Sequence, residues 1–178
     1  MRAQIRQLDS SASTKAILIS QLVEVLRDAI DHNFSIGFLQ NETDESLENF
    51  WKFEISRIKE GNVVLVSEIE DRIVGVVIIT PESRSNGRHR GEFRKLIVHS
   101  DFQNSGIGAE LESAACLAAK DNGLSLLYLD SATDFLVSRI YEEWGWQKVG
   151  SIPDFAARPD GILVDTTYFY KSLAEEEN

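Results

Sequence analysis

Between Val98 and Leu111 the chain reads VHSDFQNSGIGAEL: an apolar segment ends, a short polar turn carries two glycines, and a helix-like segment begins. A strand, a glycine turn and a helix N-terminus bring backbone N–H groups and the positive end of a helix dipole to one point, which suits phosphate. A nucleotide P-loop is excluded, because no Gly-Lys-Ser/Thr follows the turn. A dinucleotide turn is matched only in part. Gly106 and Gly108 supply G-x-G, and Asp130 closes a strand-like run downstream, where a ribose-binding acid would sit. Leu111, however, occupies the place of the third glycine, and the turn does not open the first βαβ unit of the chain.

The elements that must position this turn follow from periodicity. SSASTKAILISQLVEVLRDAIDHN carries apolar residues at Ile17, Leu18, Leu22, Val25, Leu26 and Ile30 and reads as an amphipathic helix. TDESLENFWKFEISRIKEG repeats the pattern through Leu47, Phe50, Trp51, Phe53, Glu54 and Ile58, after acidic residues suited to a helix start and before Gly61. NVVLVSEI and RIVGVVIIT are β-branched runs that predict two antiparallel strands. PESRSNGRHRG reads as a loop, EFRKLIV as a strand, GAELESAACLAAKDNG as a helix and LSLLYLD as a strand. DFLVSRIYEEWG predicts a shorter helix, WQKVGSI an edge-like strand and LVDTTYFYKSL a last strand, with Asp154, Phe155, Arg158 and Asp160 in a polar loop between them. The fold class is α/β, of the α+β type, built on a mixed sheet.

Composition narrows the partners. A chain of 178 residues with 43% hydrophobic content is expected to form one domain, over residues 1–173, with an acidic tail at 174–178. A net charge of -11 argues against binding nucleic acid through the overall field. No apolar run is long enough for a bilayer, so no membrane partner is expected. With one cysteine and no apolar secretory leader the expected location is cytoplasmic, and with three histidines a metal site is not expected. Cys116, in SAACLAA, reads as a core residue. Most of Arg84, Arg88, Arg90, Arg94 and Lys95 read as a solvated positive island close to the strand that leads to the glycine turn.

The glycine stretch resembles the acyl-CoA motif V-x-P-x-x-(R/Q)-x-x-G-x-(G/A) of the GNAT superfamily of N-acetyltransferases. Val98, Gln103, Gly106 and Gly108 fall on the motif positions, and Ser100 stands where proline is frequent. Tyr141, Gly145 and Trp146 in IYEEWGW match a second family pattern, Tyr-x-x-x-Gly-aromatic, while Asp134 stands where an asparagine is common. From about Ala29 to Leu173 the chain is similar to a narrower group, the tabtoxin-resistance acetyltransferases, through SIGF, Trp51, EFRKLIV, LLYLD, and ARPDG before YFYKSL.

The resemblance implies a GNAT fold: a mixed, mostly antiparallel sheet of about seven strands with a splayed parallel pair, flanked by about four helices. It implies acetyl-CoA as cosubstrate, with no metal, and a small-molecule amine as acceptor, for which an amino-acid-like β-lactam toxin, a polyamine, an aminoglycoside and a peptide terminus all stay open. A CoA-binding regulatory module without turnover is the alternative class. Transfer to an amine needs a base, a stabilised oxyanion and a proton for the leaving thiolate. Carried over residue by residue, Glu92 and Asp130 take base positions and Tyr141 the acid position. The cofactor would be held by Leu96, Ile97, Val98, Gln103, Asn104, Ser105, Gly106, Ile107, Gly108, Ala109 and Asp134, with a strand bulge expected near Ile97 and Val98. Ser35, Phe38, Trp51 and Phe155 are the expected acceptor-pocket residues. In the family the loop before the last strand closes the pocket or forms a dimer, so a homodimer is expected.

Overall fold

The computed structural model describes residues 3–174; Met1, Arg2 and positions 175–178, which hold most of the expected acidic tail, lie outside the described residues. The helix expected near the N-terminus begins later than its polar start. Ser10–Thr14 form a 3-10 turn capped by Asp9, and α1 spans Ala16–Asp31. Its buried face is the predicted stripe of Leu18, Leu22, Val25, Leu26 and Ile30, whereas Ile17, one residue off that stripe, is exposed. α2 spans Asp44–Ser56. The Thr43 side chain accepts the N–H of Ser46 at its start, and Asp44 and Glu45 sit in its positive first turn.

Seven strands follow the order β1-β2-β3-β4-β5-β7-β6. They are β1 Gln4–Gln7, β2 Val63–Ile69, β3 Arg72–Pro81, β4 Arg90–Val98, β5 Leu126–Ala132, β6 Gln147–Ala157 and β7 Leu163–Ser172. α3, Ile107–Asp121, connects β4 to β5, and α4, Phe135–Glu143, connects β5 to β6. Every pairing is antiparallel except β4 with β5. The strand β1 lacks a β-branched run of its own and exists by pairing with β2. β6 lies at the sheet edge as expected but runs on past Ile152 to Ala157, so Asp154 and Phe155 belong to a bulged strand and not to a loop.

Two cores cover the two faces of the sheet. One joins α1 and α2 to Val64, Val66, Val76, Ile78 and Ile97. The other joins α3 to Val63, Leu65, Val74, Val77 and Ile79, and to Phe93, Leu127, Leu129, Trp146 and Phe169. Phe93 and Ile97 therefore lie in opposite cores, although residues four apart on a regular strand share a face. A β-bulge makes the switch. Val76 pairs with Ile97 and Ile78 with Arg94, so Lys95 and Leu96 together stand opposite Val77, and Lys95 takes φ +56. The expected bulge is present, one to two residues before Ile97 and Val98.

On the α2 side, Arg94 donates to Thr80 Oγ1 (3.1 Å) and to the buried carboxylate of Glu54, which Asn62 Nδ2 also reaches at 3.2 Å. Glu54 is only 4% exposed, so Arg94→Met strands a buried charge and is expected to cost about 3 kcal/mol of stability. Denaturant unfolding measures this directly; an unchanged midpoint would show that the pair is not needed for the fold.

Candidate active site

β4 and β5 pair only over Arg90–Glu92 and Leu126–Tyr128. Beyond that point β4 stays on β3 as far as Val98, and β5 stays on β7 as far as Ala132, so the two parallel strands part. The gap is a cleft of about 240 Å³ lined by Glu92, Arg94, Lys95 and Leu96 from β4, Asp130 and Ser131 from β5, and Tyr141 from α4. The loop after α1 adds Ser35, Ile36 and Gly37.

Glu92 sits at the vertex, where it is the last residue of β4 to pair with β5, opposite Tyr128. Asp130 is two residues further along β5 and pairs with Tyr168 of β7. The alternation of strand side chains puts Glu92, Tyr128, Asp130 and Tyr168 on one face. Their charges are felt there. Burial first, then the Glu92 carboxylate, raises the Tyr128 pKa; burial, then Asp130 and Glu92, raises that of Tyr168. Glu92 is half-buried and Asp130 exposed.

Tyr141 enters the cleft from α4 with its ring held by Trp144, Trp146 and Phe169 at centroid distances of 5.8, 5.9 and 5.5 Å. Burial, with the charges of Glu112 and Asp130, holds its pKa well above the ordinary phenol value. The aromatic clasp is itself anchored. Buried Glu112 of α3 accepts from the Trp146 indole and from Lys171 Nζ, each at 2.8 Å, and Lys171 also donates to the Trp144 carbonyl at 2.7 Å. Cys116 donates to the same carboxylate, and burial beside it pushes the thiol up to about 12, in keeping with a core residue.

The glycine turn lies past the far end of β4. Asn104 and Gly106 take φ +57 and +89, and α3 begins at Ile107. Among the described residues no turn or loop backbone bond uses the N–H groups of Asn104, Ser105 or Gly106, and those of Ile107, Gly108 and Ala109 are the unpaired first N–H groups of a helix. Such a run of unpaired N–H groups at a helix start suits an anion. A Cβ on Gly106 would meet nothing within 4 Å, so its positive φ, and not crowding, is what calls for glycine. Gln103 Nε2 donates to the Val98 carbonyl at 3.1 Å and its N–H to the Ser100 carbonyl at 3.3 Å, so its main-chain N–H is not among the open donors of the turn. Asp134 caps α4, accepting the N–H groups of Leu136 and Val137 on its Oδ1.

Of the expected acceptor residues, Ser35 lines the cleft and donates to the Ala157 carbonyl at 3.3 Å. Phe38 packs against Phe50 behind the cleft wall, and Phe155 stands on β6 against Tyr168. Trp51, expected in the acceptor pocket, does not line the cleft: it is fully buried in the core of α1 and α2, because its place on the apolar stripe of α2 turns it inward. The loops 33–40 and 158–162 are stitched together by Asn33 with Asp160 and by the Gln40 N–H on the Pro159 carbonyl.

Sequence places Lys95 in the arginine-rich island, yet its ammonium donates to the Ile36 carbonyl at 2.6 Å and lies over the rings of Phe38 and Phe50. Burial, then Arg94, lowers its pKa. The arginine-rich loop itself precedes β4, at the opposite end of the strand from the glycine turn, so it adds no charge to that turn. Lys95 escapes sequence reasoning as a cleft residue, because the bulge that brings it there is a property of paired strands.

Solved structures share the whole architecture. A ribosomal-protein-alanine N-acetyltransferase from Brucella melitensis matches with a TM-score of 0.78 at 22% identity, over 95% of this chain and 99% of that one. The protein yncA from Salmonella typhimurium, solved with its cofactor acetyl-CoA, gives 0.79 at 20% identity over 100% and 98%. An acetyltransferase of the GNAT family from Streptococcus pneumoniae gives 0.74 at 23% identity over 96% and 99%. Residues 23–146 match the model of the acetyltransferase (GNAT) family, and the chain belongs to that family.

Proposed function

We propose that this chain transfers the acetyl group of acetyl-CoA to the amine of a small molecule by direct attack, without an acyl-enzyme. The observation that carries the reading is the parting of β4 and β5 at Glu92, with two carboxylates on one face of the gap, a half-buried phenol within it and a turn rich in free N–H groups beyond it. Glu92 takes a proton from the attacking amine while the new C–N bond forms, and Asp130 holds the amine at the mouth. Tyr141 gives its proton to the sulfur as the C–S bond breaks. N–H groups of β4 near Ile97 and Val98 face the developing oxyanion, and those of residues 104–109 hold the pyrophosphate.

Among acceptors, an amino-acid-like β-lactam toxin is the specific candidate that the sequence resemblance favours, alongside polyamines, aminoglycosides and peptide termini. The exposed apolar residues Val149 and Ile152 on the free edge of β6 support a homodimer formed there. A thiol-release assay across a panel of amines tests the activity: acceptor-dependent release is expected, and tight acetyl-CoA binding without release by any amine would instead favour a regulatory module. For the cofactor turn, Gly106→Val forces a β-branched residue to φ +89 and is expected to weaken acetyl-CoA binding by about tenfold or more. Calorimetry reads this, and an unchanged affinity would move the pyrophosphate elsewhere.

A further inference from the structure

The turn that displays the free N–H groups is fastened to α1 through Ser100. Ser100, the first residue of the 3-10 turn Ser100–Phe102, donates its N–H to Asp28 Oδ2 at 2.8 Å and its hydroxyl to Asp28 Oδ1 at 2.6 Å. Asp28, on the last turn of α1, is only 10% exposed. Around it stand His32 Nδ1 at 3.4 Å and His99 Nε2 at 3.8 Å, while Arg72 bridges Glu24 at 2.7 Å and His99 at 3.2 Å and lies over the Phe102 ring.

We propose that Asp28 is a positioning residue for cofactor binding, acting through Ser100 to fix the segment 100–106 that aims the N–H groups. The inference rests on the reading of residues 104–109 as the pyrophosphate site. The backbone shows why the anchor is needed. His99, at ψ 139, lies outside the α region that a following proline disfavours, and Ser100 stands at the first position of a helical turn, where proline fits. A proline there would fix φ covalently; serine leaves φ free, and the two hydrogen bonds to Asp28 supply the constraint in its place.

The test measures acetyl-CoA affinity by calorimetry, together with KM, kcat and thermal midpoint, for Ser100→Ala, Ser100→Thr, Asp28→Ala, Ser100→Pro and the double variant Asp28→Ala with Ser100→Pro. Ser100→Ala and Asp28→Ala are each expected to weaken acetyl-CoA binding about tenfold, as loss of a charge-assisted hydrogen bond would, with kcat at saturation and the acceptor KM unchanged. Ser100→Thr keeps both donors and is expected to bind as the parent does. Ser100→Pro alone leaves a buried carboxylate without the two Ser100 donors and binds weakly; adding Asp28→Ala removes that carboxylate, keeps the fixed φ and restores affinity. Parent-like affinity in Ser100→Ala and Asp28→Ala, or a lowered thermal midpoint with no change in affinity, overturns the proposal. If Gly106→Val also leaves affinity unchanged, the pyrophosphate reading fails; if Gly106→Val weakens binding while the Asp28 and Ser100 variants do not, only the positioning role fails.

Discussion

Glu92→Gln is expected to lower kcat for amine acetylation by about 10²-fold or more, the ordinary range for loss of a general base, with acetyl-CoA affinity and fold unchanged. The substitution keeps the shape of the side chain and removes only its capacity to accept a proton. Glu92 is the stronger candidate of the two acids because it is half-buried at the vertex, where β4 last touches β5, whereas Asp130 is exposed two residues beyond Tyr128. Charge close to protein is screened less than charge in open solvent, so the half-buried Glu92 acts more strongly on a bound ammonium. Asp130→Asn is therefore expected to act mainly on the acceptor KM. Steady-state kinetics with one acceptor separates the two, and a Glu92→Gln variant as fast as the parent would remove Glu92 from the chemistry.

The turn at Gly106 and the helix after it are legible from the sequence because their meaning is local. Free N–H groups, a positive φ and a helix start all belong to a single continuous segment. The hairpin of β2 and β3 is legible for the same reason: its β-branched runs flank a short polar turn. What escapes is set by partners distant in sequence. β1 exists through β2, and the length of β6 through β7. The bulge at Lys95 and Leu96 is a mismatch between two strands and has no composition of its own. It turns a lysine that reads as surface charge into part of the cleft wall, and leaves Phe93 and Ile97 in different cores. Trp51 misleads in the opposite sense, since an aromatic residue on a helical stripe carries no mark that separates a core position from a pocket wall.

Tyr141→Phe carries the second large expected effect, a fall in kcat of about 10²-fold with acetyl-CoA affinity close to the parent's. The clasp of Trp144, Trp146 and Phe169 holds the ring by its faces and edges, so phenylalanine fits the same space and the change is confined to one hydroxyl. That hydroxyl can give a proton only while it keeps one. Burial and the charges of Glu112 and Asp130 disfavour the phenolate, so the pKa is raised and the acid form persists above the pH of about 10 at which an ordinary tyrosine ionises. Raising the pH toward that value deprotonates the bound amine without disarming Tyr141, and kcat is expected to rise to a plateau with no decline there. A pH profile of kcat for the parent and for Tyr141→Phe decides the matter. Loss of acetyl-CoA binding in Tyr141→Phe, with full rate at saturation, would make the tyrosine a packing residue and return the search for the acid to the other groups on the cleft wall.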